Sequence, residues 1–132
     1  MSFMYDRELV IEMLRNIVWS LEQITKRFQS IRYSEDFIKD DAGHEKLDSI
    51  CMQLITIGEA LKQIDKITEG TLLARYPRVD WKKAKGMRDF ISHHYFDIDH
   101  EVVFTVCQEH IPTMTEVIRS ILKDMEEGNF QS

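Results

Sequence analysis

The sequence predicts an all-α protein, an antiparallel bundle of three long helices with one or two short helices between them. Three features predict it. Two long apolar stripes recur at three- and four-residue steps, and a third runs toward the C-terminus behind plausible capping residues. Apolar–polar alternation of useful length, repeats, low-complexity tracts and linkers are all missing. With 132 residues and 43% hydrophobic content, residues 1–132 read as one domain around one core.

In chain order, Leu9, Val10, Met13, Leu14, Ile17, Leu21, Ile24, Phe28 and Ile31 form the first stripe, which predicts a helix from about Tyr5 to Ile31. Tyr33 to Asp36 reads as a break, with Ser34 capping a short turn ahead of Phe37 and Ile38. Leu47, Ile50, Leu54, Ile57, Leu61 and Ile64 form the second stripe, a helix ending near Asp65. A short helix within Thr68–Tyr76 is ended by Pro77, because a proline pushes its predecessor out of helical geometry. Asp80 reads as the N-cap of a helix that opens at Trp81 and carries the basic residues and the motif described below. Either Asp97 or Asp99 can cap the last helix, which Pro112 should kink and Gly128 should end.

Composition excludes several function classes. A net charge of −6 argues against a protein that coats nucleic acid, since such binding relies on cations displacing counterions from phosphates. The average hides a local reversal. Between Arg75 and Arg88 six cations face one anion, a segment charge of +5 that leaves −11 for the rest of the chain. Lys82, Lys83 and Lys85 fit a solvated helix face, but the basic run leads straight into a histidine-rich stretch, where it can draw in an anionic polymer. Cys51 and Cys107, each flanked by apolar residues, read as core thiols of a reducing compartment. Asp6, Arg7, Glu8 and Glu12 interrupt the apolar run that a secretion signal needs, and no apolar run suits a membrane span. A cytoplasmic location without membrane attachment is the expectation.

The chemistry concentrates in Arg88-Asp89-Phe90-Ile91-Ser92-His93-His94-Tyr95. On a continuous helix Arg88 and His93 lie about 140° apart, whereas Asp89 and His93 form an i,i+4 pair in which the carboxylate can hold one imidazole nitrogen. Arg88 and Tyr95 return to nearly one face. RNA cleavage suits such a set, because the 2′-hydroxyl serves as nucleophile once its proton is removed, and neither an enzyme nucleophile nor a metal is required. Histidine can move that proton near neutrality, and arginine offers planar donors to the charge gathering on a phosphorane. One chain supplies one clear acid–base histidine. A two-fold dimer with the motif at its interface supplies two.

Other residues keep plainer readings. His94 reads as structural, Phe96 as core, and Met52, Met87, Met114 and Met125 as gap-fillers. Gly58, costing about 1 kcal/mol in a helix, reads as a place of close packing. Glu59 either reaches across to fix Arg88 or is an exposed helix glutamate. His44, His93, His94, Asp97 and His100 lack the Glu-x-x-His pair repeated on two helices that a carboxylate-bridged metal site demands, so no metal or cofactor is assigned.

The spacing R-x4-H-x-Y in Arg88, His93 and Tyr95 is preceded by Ile57-Gly58-Glu59-Ala60 and Arg75-Tyr76-Pro77 and followed by Phe96 with Asp97 or Asp99. Together these blocks resemble the HEPN superfamily, and within it the HepT-like toxin branch, over most of the chain. The resemblance implies a HEPN-type helical-bundle homodimer acting as a metal-independent ribonuclease toxin. It further implies a minimal nucleotidyltransferase antitoxin that silences the toxin by transferring AMP to the motif tyrosine, here Tyr95. Carried over by position, Arg88 and His93 would be catalytic and Asp89 the polar residue after the arginine; the positive charge of the helix carrying Lys82, Lys83 and Lys85 would hold the RNA backbone. Many relatives have Asn at the position of Asp89; its negative charge favours a protonated His93 and opposes an incoming phosphate. Two rivals follow from the same residues: a non-catalytic module that presents Arg88 and Tyr95 to a nucleotidyltransferase, and a plain dimerisation domain.

Overall fold

Helix boundaries follow from where backbone amides find side-chain acceptors. In the computed structural model, which describes residues 5–94 and 97–128 (backbone only for His93 and His94), helix α1 spans Arg7–Phe28. Asp6 starts it by accepting from the Leu9 amide at 3.1 Å. Val10, Leu14, Ile17, Leu21 and Ile24 are buried along one face, while Leu9, expected in the stripe, lies outside it and is exposed. Helix α2, Asp41–Ile67, starts in the same way from Asp40, which accepts from the Gly43 amide at 2.8 Å. All six residues of the second stripe, Leu47, Ile50, Leu54, Ile57, Leu61 and Ile64, are buried along α2, and Gly43, Cys51 and Gly58 are buried beside them.

Between α1 and α2 the chain makes a 3-10 turn, Ser34–Phe37. Asp36 organises it where Ser34 was expected to: its carboxylate accepts from the Arg32 and Tyr33 amides at 2.8 and 3.1 Å. Those two amides, with Lys39 beside them, hold the Asp36 carboxyl below the usual carboxylate range. The turn drives Phe37 fully into the core, against the Phe28 ring. Helix α2 ends where Glu69 and Gly70 take positive φ, and a second 3-10 turn, Leu73–Arg75, replaces the short helix expected before Pro77.

The basic segment was expected as one helix running through the motif. It forms two short ones instead, α3 (Trp81–Lys85) and α4 (Met87–Ile91), hinged at Gly86. Asp80 caps α3 as predicted, accepting from the Lys83 amide at 3.1 Å. A second departure follows α4. Strands β1 (Ser92–His94) and β2 (Asp97–Ile98) pair antiparallel, with Ser92 opposite Ile98 and His94 opposite Asp97, although the pattern predicted no strand. Asp97 is thereby spent in β2. Asp99 caps α5 (His100–Thr105), accepting from the Glu101 and Val102 amides at 3.1 Å each.

Helix α6, Ile111–Glu126, follows a π-helical turn at Val106–His110. Pro112 sits in the first turn of α6, and a proline there lacks the amide that would bond back and crowds the preceding carbonyl, so the turn before it widens. Where the sequence predicted a kink at Pro112, the structure shows this π-helical turn immediately before the proline. Helix α6 ends at Glu126 and Gly128 takes φ 71°, as predicted for the terminus. Tyr76 ties the α2–α3 connection to α6 by donating to Asp124 at 2.7 Å; burial and that carboxylate push its phenol well above its ordinary value. Among the described residues, no helix is long and apolar enough to cross a membrane.

Helices α1, α2 and α6 enclose one core that includes both cysteines, unpaired and buried as expected. Burial pushes each thiol up to about 12. A thiol reacts as thiolate, so neither cysteine should react appreciably with an aromatic disulfide reagent at pH 8 until the protein unfolds. Two equivalents should then be released together under denaturant; rapid native labelling of either would contradict the packing.

Candidate functional site

The motif stands where it does because α2 lacks a side chain at one position. A Cβ on Gly58 would lie 2.9 Å from the Ala84 carbonyl oxygen, 3.4 Å from that of Lys85 and 3.4 Å from the Met87 Cβ. The α3–α4 hinge therefore rests directly on the α2 backbone, which is the close packing predicted for Gly58. Lys85 pairs with Asp65 of α2 and reinforces the seat. Ala84, Met87 and Ile91 are buried beneath, so Arg88, Asp89 and Phe90 face outward.

Arg88 borders an open groove of about 600 Å³ that α2 lines with Cys51, Met52, Ile55 and Glu59 and β2 lines with Ile98. Among the described residues its guanidinium makes no hydrogen bond or ion pair, so its donors are available to an anion. Asp89 is exposed beside it. Glu59 is exposed on the same groove and pairs with Lys62 at 3.5 Å, which agrees with the plainer of its two readings. Met52, read from sequence as a gap-filler, is 67% exposed here, whereas Met87, Met114 and Met125 are buried. Its place two residues off the buried stripe was the signal that reading missed.

Helix α4 ends before the histidines. Ser92 has extended backbone, φ −132° and ψ 138°, and its hydroxyl donates to the Arg88 carbonyl at 2.8 Å. The Ile91 carbonyl, freed from helical pairing, accepts from the Asp99 amide at 2.8 Å. The helical i,i+4 relation expected between Asp89 and His93 is consequently not formed, and the face expected to be shared by Arg88 and Tyr95 involves a residue outside those described. His93 instead lies in β1, two residues beyond the end of the helix that carries Arg88. Its side chain, that of His94, and all of Tyr95 and Phe96 lie outside the described residues. Among those described, no three histidine, cysteine or carboxylate side chains converge as metal ligands would.

The three lysines separate. Lys82 and Lys83 are exposed, whereas Lys85 is half-buried and committed to Asp65. Lys83 places its ammonium 5.0 Å from the centre of the Phe90 ring.

A family model described as "Ribonuclease HepT-like" matches residues 7–121. A Methanocaldococcus jannaschii protein named "Putative RNase" is 30% identical over 125 residues, 95% of this chain and 88% of that one. A protein of Caldanaerobacter subterraneus subsp. tengcongensis with the same style of name is 28% identical, over 83% of this chain and 91% of its own. A Thermococcus cleftensis protein named "Probable ribonuclease HepT" is 29% identical, over 76% and 84%. No solved structure matches significantly.

Proposed function

Because the chain belongs to the HepT-like ribonuclease family, we propose that it is a metal-independent endoribonuclease, the toxin of a pair whose antitoxin is a minimal nucleotidyltransferase. The observation that carries this reading is the exposed Arg88 guanidinium, without a hydrogen bond or ion pair among the described residues, at the rim of a groove and on a helix that ends immediately before the strand containing His93.

In the proposed reaction His93 takes the 2′-hydroxyl proton, O2′ forms a bond to phosphorus, and the bond from phosphorus to O5′ breaks. The departing O5′ accepts a proton from the equivalent histidine of a second copy across a two-fold axis. Arg88 stabilises the phosphorane through paired donors. Asp89 lends negative charge that favours a protonated imidazole, without the helical contact predicted from spacing. Lys82 and Lys83 attract the backbone; Lys85, engaged with Asp65, contributes to the seat. The antitoxin would act on Tyr95, whose hydroxyl attacks the α-phosphorus of ATP and releases pyrophosphate.

Purified protein is expected to cut RNA in excess EDTA and to leave 2′,3′-cyclic phosphate and 5′-hydroxyl ends. Activity that chelation removes and a divalent ion restores would disprove metal independence. Failure to cut any RNA, with no growth defect on induced expression, would favour the non-catalytic module.

A further inference from the structure

Arg88 and Phe90 are two residues apart on α4, about 200° around the helix, so they serve opposite flanks. Arg88 borders the groove against α2, whereas Phe90 borders two adjoining cavities of about 240 and 300 Å³ between α3–α4 and the α5–α6 limb. The cavities share Phe90, Val106 and His110. Together they reach the size of a small-ligand site, roughly 300–1,000 Å³.

The lining sorts by chemistry. Ala84, Met87, Val106 and Met114 make an apolar floor, all of them buried in the core. The Phe90 ring stands over it, 36% exposed. Lys83 holds a cation against one side of the ring, and Arg78 adds a guanidinium at the rim. Arg78 is paired with Glu116 at 2.9 Å, but an ion pair this exposed is weak and yields readily to a phosphate. The nearby carboxylates of Asp80 and Asp99 are occupied as helix caps, and Glu101 borders the second cavity.

An apolar floor, an exposed aromatic ring and a cationic rim form the combination that takes an unstacked base together with its phosphate. A protein partner would be served by the floor but would gain little from the cations. Resting on the ribonuclease reading, we propose that this groove binds a nucleotide neighbouring the scissile phosphate of single-stranded RNA. Its base stacks on Phe90 and its phosphate lies between Lys83 and Arg78. The strand then crosses α4 from one flank to the other, and Arg88 and Phe90 set the reading frame of the cut.

The test measures binding of a fluorescein-labelled, mixed-sequence single-stranded RNA to the full chain carrying His93→Ala, which separates binding from cleavage. Adding Phe90→Ala should weaken binding about tenfold or more, the usual loss on removing a stacking ring, while Phe90→Trp stays close to the parent. Lys83→Ala should lower the salt dependence by about one phosphate contact. Circular dichroism establishes that each variant is folded. Unchanged affinity of Phe90→Ala, in a protein whose wild type cuts RNA, overturns the groove assignment and leaves the ribonuclease reading standing. Retained RNA binding with loss of the nucleotidyltransferase partner makes the groove a protein-docking surface, which also overturns it. A wild-type chain that neither binds nor cuts RNA removes both.

Discussion

Arg88→Ala is expected to lower RNA cleavage by about 10²–10³ and His93→Ala by about 10²–10⁴, with little change in stability for the arginine variant. The first figure is the usual loss when one donor to a developing anion is removed, and the second is the contribution of a positioned acid–base group. The two effects can be separated from misfolding because Arg88 is exposed and makes no side-chain bond or ion pair among the described residues. Truncating such a residue ordinarily changes stability by no more than about 0.5 kcal/mol. Arg88→Lys should recover only part of the rate, since an ammonium cannot reproduce the paired donors. Single-turnover cleavage with thermal melts on the same samples decides it. Undiminished cutting by either alanine variant would remove that residue from the mechanism.

Gly58→Val is expected to lower stability and cleavage together. Two effects of opposite sign compete at this position. Alanine gains up to about 1 kcal/mol of helix propensity over glycine, but its Cβ would stand 2.9 Å from a backbone carbonyl oxygen that cannot swing aside. Valine adds two methyl groups to that collision and gives up part of the propensity gain. Overpacking of this kind costs roughly 1–3 kcal/mol, or about 3–10 °C in melting temperature for a chain of this length. The hinge at Gly86 would be lifted from α2 and would carry Arg88 out of register with the groove. Gly58→Ala should fall between wild type and valine in both properties. A valine variant with wild-type melting and wild-type cleavage would show that the close approach has no bearing on the site.

Much of the fold was legible because it is local. The 3.6-residue period of Leu47 to Ile64 locates the buried face of α2, all six of its residues being buried, and the capping role of Asp80 can be read from its place before Trp81. Cys51 and Cys107 were recognisable as core thiols from their apolar neighbours. The candidate site was legible as a list of residues, but its geometry was not. Arg88, Asp89 and the basic run were found by type and spacing, yet spacing on an assumed helix placed Asp89 against His93, and the chain leaves helical geometry at Ser92. That Phe90, His110 and Arg78 meet at one groove carried no signal in the sequence, since they come from separate elements.

By itself the sequence determined the helical class, the faces of α1 and α2, and the concentration of chemistry in one short stretch, because side-chain periodicity and capping act within a few residues. Tertiary structure alone decided where α4 stops and which flank of it each residue serves. A five-residue helix has too few internal hydrogen bonds to set its own ends. The outcome therefore fell to contacts from distant parts of the chain, the bare backbone of Gly58 beneath the hinge and the Asp99 amide on the Ile91 carbonyl.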